Sequence, residues 1–66
     1  MKIIVNGEEK DIEDGETLSS YMKNANYPLE KTIVELNGQI LKKDRWDISG
    51  LADGDRIEIV AFVGGG

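Results

Sequence analysis

Three consecutive glycines, Gly64, Gly65 and Gly66, stand at the end of the 66-residue sequence directly after a strand-like run. The reactive group they would present is the α-carboxylate of Gly66. Without Cβ atoms, such a backbone adopts φ/ψ values closed to other residues. It can thread a channel too narrow for side chains, so the Gly66 carboxylate is expected to act inside another protein's active site. A run of three glycines is also the composition of an ordinary linker or frayed end. It is weak as a motif by itself, and the rest of the sequence has to discriminate.

Other chemistry is scarce. Cys and His are both absent, which removes disulfides, zinc and iron-sulfur ligation, thiol nucleophiles and histidine acid-base catalysis. Gly64 to Gly66 lack the Lys-Ser/Thr pair and the following helix of a phosphate-binding loop. Asp53-Gly54-Asp55 is acidic like a calcium loop but lacks that loop's spacing and distal Glu, so it reads as a turn and no metal site is expected. Glu13 and Glu16 form no paired arrangement. A 66-residue chain hides only about 60% of its unfolded surface on folding, leaving little room for a deep catalytic pocket. Its net charge is -5, and six of the nine residues from Glu8 to Glu16 are acidic. Phosphate backbones would repel that surface, whereas a basic protein partner would be steered toward it. No apolar run approaches the roughly 20 residues that span a bilayer. A soluble, cytoplasmic protein, monomeric when free, is expected, with neither nucleic acid nor membrane as partner.

Turn pairs divide the chain into regular elements. Lys2 to Val5 reads as a strand, Asn6-Gly7 as a two-residue hairpin turn, and Glu8 to Ile12 as the returning strand. After the Asp14-Gly15 turn, Thr17 is placed to N-cap a helix. Leu18, Tyr21, Met22 and Ala25 follow helical spacing there, and Glu16 lies near the positive end. Asn26 and Pro28 stop the helix. Thr32 to Leu36, the Asn37-Gly38 turn and Gln39 to Leu41 form a second hairpin. Lys42 to Leu51 is irregular, pinned by Trp46, a lid on the core, and by Ile48. Asp53-Gly54-Asp55 leads into a last strand from Arg56 to Val63.

The order β-β-α-β-β, with a hairpin at each end, excludes a doubly wound sheet. With the first and last strands parallel in the middle, a right-handed crossover lays the helix on one face of a mixed sheet. This is the α+β, ubiquitin-like β-grasp architecture, with the domain assigned to residues 1–63 and a flexible glycine tail to 64–66. Alternation puts Ile57, Ile59 and Ala61 under the helix with Ile3, Val5, Val34 and Leu36. Arg56, Glu58, Val60 and Phe62 then occupy the opposite face. Val60 and Phe62, large and apolar beside the tail, are the expected partner-docking residues.

Four segments carry a family resemblance over nearly the whole chain: MKIIVNGEE, DGETLSSYM, VELNGQIL followed by Trp46, and the ending DGDRIEIVAFVGGG. Together they resemble the ThiS family, the sulfur carriers of thiamine biosynthesis. Lys42 and Lys43 stand where a Pro-Arg pair is common before the Trp, and Arg45 sits next to Trp46. The resemblance implies that an E1-like adenylating enzyme, using ATP and Mg²⁺, converts the Gly66 carboxylate to an acyl adenylate. Sulfur from a cysteine desulfurase or another persulfide donor then yields a C-terminal thiocarboxylate, which thiazole synthase consumes. The chain itself would be a protein cosubstrate, not an enzyme. A carrier for another pathway, such as a molybdopterin synthase small subunit, or a ubiquitin-like modifier shares this chemistry. A plain β-grasp binding module remains the third reading. The compact connection between the helix and the third strand favours the thiamine carrier.

Overall fold

The computed structural model describes residues 1–62. The elements run β1 (Lys2–Val5), β2 (Glu8–Asp11), α1 (Leu18–Asn24), a 3₁₀ turn at Leu29–Lys31, β3 (Thr32–Leu36), β4 (Gln39–Leu41), a 3₁₀ turn at Lys43–Arg45, and β5 (Arg56–Ala61). Strand order in the single mixed sheet is β2-β1-β5-β3-β4. β1 and β5 are parallel in the middle, and each hairpin partner lies outside them. This is the β-grasp arrangement expected from the element order.

Both hairpins turn where Asn-Gly pairs supply two consecutive positive φ angles, 49° and 84° at Asn6 and Gly7 and 51° and 85° at Asn37 and Gly38. That backbone twist matches the flanking strands. Each Asn also ties its turn to β5. The Asn6 side chain accepts from Ile59 N (2.8 Å) and donates to Ile59 O (3.2 Å), extending the β1–β5 ladder past the end of β1. Asn37 Oδ1 accepts from Arg56 N at 2.9 Å, and its Nδ2 donates to Asp55 Oδ1 at 3.0 Å.

Thr17 caps α1 as expected, its Oγ1 accepting from Ser20 N at 3.1 Å. The preceding two helical N–H groups, which have no partner within a helix, donate instead to the loop before β5: Leu18 N to Ser49 O (3.0 Å) and Ser19 N to Trp46 O (3.1 Å). The 42–51 segment is therefore a clamp on the helix start. Trp46 is buried, and its Nε1 donates to Leu41 O at 2.9 Å.

Under the helix, Ile3, Val5, Val34, Ile57 and Ile59 from the sheet meet Leu18 and Met22, with Trp46 and Leu51 closing the side. Leu36 and Ala61 lie on this face but are only partly buried. Several details differ from the sequence expectation. Ile48 is 70% exposed and pins nothing; Leu51 fills that place in the core. Ala25 is exposed because the helix ends at Asn24 and Ala25 is its C-cap. Glu16 directly precedes the Thr17 cap, as expected, with its carboxylate accepting from Asn24 Nδ2 at 3.3 Å. β2 stops at Asp11, although Ile12 and Met1 still exchange hydrogen bonds of 2.9 and 3.0 Å. β5 ends at Ala61, opposite Thr32, where β3 runs out.

Candidate functional site

Among the described residues β5 ends at Ala61, the last of them in the ladder, and Phe62 N donates to Lys31 O at 2.7 Å, fixing the backbone one residue further. On the other side, the Asn6 side chain holds Ile59. Gly64, Gly65 and Gly66, the expected reactive tail, and Val63, the expected end of the strand, lie outside the described residues.

The side of the sheet away from the helix is open. β5 presents Arg56, Glu58 and Val60 there, all exposed, and Phe62 follows. Val60 and Phe62 are each 56% exposed, so the strand register expected from the sequence holds. Two further apolar residues belong with them. Ile33 pairs with Val60 across β3 and β5 and is 45% exposed; Ile40 on β4 pairs with Glu35 and is 69% exposed. Sequence reasoning passed over both, although a signal existed. Once Val34 is assigned to the core, alternation puts Ile33 outward, and the hairpin register carries Ile40 with Glu35.

Chemical groups able to catalyse are sparse. Among the described residues no group of three His, Cys, Asp or Glu is placed to hold a metal ion. A shallow hollow of about 430 Å³ lies between the end of β2 and α1, with Ile12, Tyr21 and Ala25 among its lining and Asp11, Glu13 and Glu16 around them. Burial raises the Tyr21 phenol above its ordinary value of 10.0, and Tyr27, Glu16 and Glu8 add to the effect. That leaves Tyr21 protonated at neutral pH. Among the described residues no helix is long and apolar enough to cross a membrane. What the described residues assemble on this side of the sheet is an exposed, partly apolar face beside the end of β5.

Known proteins match most or all of this chain. The ThiS family model covers residues 3–66. Thiazole synthases of Paramagnetospirillum magneticum and Magnetococcus marinus are each 36% identical over all 66 residues. The chain spans only 20% of the length of each of those relatives. The sulfur carrier protein ThiS of Bacillus subtilis is 52% identical over 44 residues, covering 64% of this chain and 67% of that protein. In three dimensions the crystal structure of the thiamine biosynthesis protein (ThiS) from Geobacter metallireducens superposes with a TM-score of 0.85 at 29% identity, covering 100% of both chains. A solution structure of a thiamine biosynthesis protein from the same organism gives 0.78 at 30% identity, covering all of this chain and 88% of that one. With the family pattern running from residue 3 to residue 66 and the same fold in both structures, the chain belongs to the ThiS family.

Proposed function

We propose that this chain is a sulfur carrier protein of thiamine biosynthesis, a cosubstrate that partner enzymes act on, with the carboxylate of Gly66 as its working group. The family pattern carries this reading, because it extends over the glycines to residue 66. A carboxylate is a poor acyl donor because an oxide would have to leave. In the proposed sequence a carboxylate oxygen of Gly66 attacks the α-phosphorus of ATP on an E1-like adenylating enzyme, with Mg²⁺ on the phosphates, and pyrophosphate departs. A sulfur nucleophile then attacks the acyl carbon, the C–O bond to AMP breaks, and AMP leaves. Sulfide gives the thiocarboxylate directly. A persulfide from a cysteine desulfurase gives an acyl disulfide, and a thiol cleaves its S–S bond to release the thiocarboxylate. One unfavourable displacement thus becomes two feasible ones. The thiocarboxylate is anionic and nucleophilic near neutral pH, as a thiolate is. It hands sulfur to a carbonyl intermediate on thiazole synthase.

None of these steps asks the folded domain for a catalytic side chain. Its part is to dock and to aim, and the exposed Val60 and Phe62 beside the chain exit suit that role. Thiazole synthase is favoured as the acceptor over the molybdopterin alternative by the thiazole synthase relatives. Each carries a stretch like this whole chain within one longer polypeptide.

The test is adenylation. Deleting Gly66, or extending the chain beyond it, should abolish AMP transfer to the tail by the cognate adenylating enzyme, read as ATP–pyrophosphate exchange. Circular dichroism and the melting curve should stay nearly unchanged. Normal exchange with the extended protein would refute the reading.

A further inference from the structure

We propose that Asn6 is a positioning residue for the working tail. Its side-chain amide grips β5 at Ile59 from the β1 side, and so sets the direction in which the chain runs on toward Gly66. This rests on the reading given above, that the Gly66 carboxylate is the working group, and adds the residue that aims it.

β5 is held unequally along its two edges. β3 pairs with it at five positions, from Leu36 with Ile57 to Thr32 with Ala61. β1 pairs with it at only two, Ile4 with Arg56 and Val5 with Ile57. Past Val5 the positive φ angles of Asn6 and Gly7 swing the backbone away toward β2. The Asn6 N–H still donates to Ile57 O at 2.9 Å, and there the backbone ladder on this edge stops. Next along the edge come the N–H and C=O of Ile59, a buried residue. Left unpaired, both groups would be costly. Asn6 serves both from one side chain, Oδ1 accepting from Ile59 N at 2.8 Å and Nδ2 donating to Ile59 O at 3.2 Å. A primary amide offers the donor and acceptor of a peptide group, so the ladder runs one step further than the strand that built it.

The turn itself does not need that amide, because Gly meets the positive φ of a two-residue hairpin equally well. Beyond Ile59, the bonds among the described residues come from the β3 side alone: Ala61 pairs with Thr32, and Phe62 N donates to Lys31 O. Ile59 is therefore the last described point at which β5 is gripped from both edges before the tail. A strand advances about 3.3 Å per residue, so a tilt at Ile59 is magnified at Gly66. Misplacing a reacting group by about 1 Å can cost about a hundredfold in rate. Asn37 provides the control. It stands in the other Asn-Gly turn and makes the same kind of bond at the opposite end of β5, its Oδ1 accepting from Arg56 N at 2.9 Å.

Asn6→Gly and Asn37→Gly each keep the turn and remove the amide, which makes them a matched pair. ATP–pyrophosphate exchange by the cognate adenylating enzyme, run below the melting temperature of both, separates aim from stability. Asn6→Gly is expected to lower kcat about tenfold or more while KM for the carrier stays within about twofold. Asn37→Gly should leave both within about twofold. In the free chain, residual dipolar couplings of the Ala61 and Phe62 N–H bonds should change in Asn6→Gly and match the parent in Asn37→Gly. Asn6→Asp, which keeps the acceptor for Ile59 N, should fall between the parent and Asn6→Gly, and it carries the comparison if Asn6→Gly does not fold. Equal losses of kcat in the two Gly variants, or unchanged couplings in Asn6→Gly, reduce Asn6 to a structural bond and overturn its positioning role. The carrier reading survives that outcome. No exchange with the parent chain overturns both.

Discussion

β5 serves two faces with the same six residues. Toward the helix it sets Ile57 and Ile59, both buried against Leu18 and Met22. Toward solvent it sets Arg56, Glu58 and Val60, followed by Phe62, with nothing over them among the described residues. The closed face closes the core of a domain too small to have a second one. The open face is therefore under no packing constraint, yet it carries four exposed large apolar residues. Isolated exposed apolar residues need no explanation; four on one face beside the chain exit do. Stability resides on one side of the strand, and under the proposed function recognition belongs to the other.

Mutations on the two faces should therefore separate stability from binding. The largest stability effect is expected at Ile59→Ala, which opens a cavity under the helix and should cost about 2–4 kcal/mol. In a domain of this size that is most of the total, so denaturant unfolding should show the variant largely unfolded near room temperature. Asn6→Ala comes next. It removes both side-chain bonds to Ile59 and places a β-carbon residue without the amide at a positive φ. A loss of about 1–3 kcal/mol in the same assay is expected, and Asn6→Asp, which keeps the acceptor for Ile59 N, should lose less. Phe62→Ala should change stability by no more than about 0.5 kcal/mol, because its ring is mostly in water. If Phe62→Ala unfolds the protein and Ile59→Ala is thermally silent, the division between the faces is reversed.

Alkaline pH adds a smaller probe of the helix side. The Tyr21 phenol holds its proton to higher pH in the folded state than in the unfolded chain. The folded state then binds more protons above the unfolded value, and stability falls as pH rises past about 10. Tyr21→Phe should have a flatter melting temperature over that range, and an unchanged slope would show that another group sets it.

Much of this was legible in the sequence because the signals are local. Asn6-Gly7 and Asn37-Gly38 demand positive φ twice over, which fixes both hairpins and the relative phase of their four strands. Thr17 marks the helix start through a bond to Ser20, three residues away. What escaped depends on distant partners. The 42–51 segment has little regular structure and takes its shape from giving carbonyls at Ser49 and Trp46 to the helix N-terminus, and from Leu51 N donating to Glu16 O at 2.9 Å. Nothing in the local pattern distinguishes Ile48, which is exposed, from Leu51, which is buried. The second bonds of Asn6 and Asn37 reach β5 across 53 and 19 positions, and no turn rule anticipates them. Val60 and Phe62 could be placed by alternation alone. Ile33 and Ile40 follow from the same alternation once Val34 is assigned to the core and the register is carried across the β3–β4 hairpin.

Intact mass of the protein taken from its native cells, grown where thiamine must be made, bears most directly on the carrier role. The expected result is a population in which one oxygen is replaced by sulfur, with fragmentation locating the change at Gly66. A chain that carries no sulfur there under those conditions, or carries it on a residue of the folded domain, would contradict it.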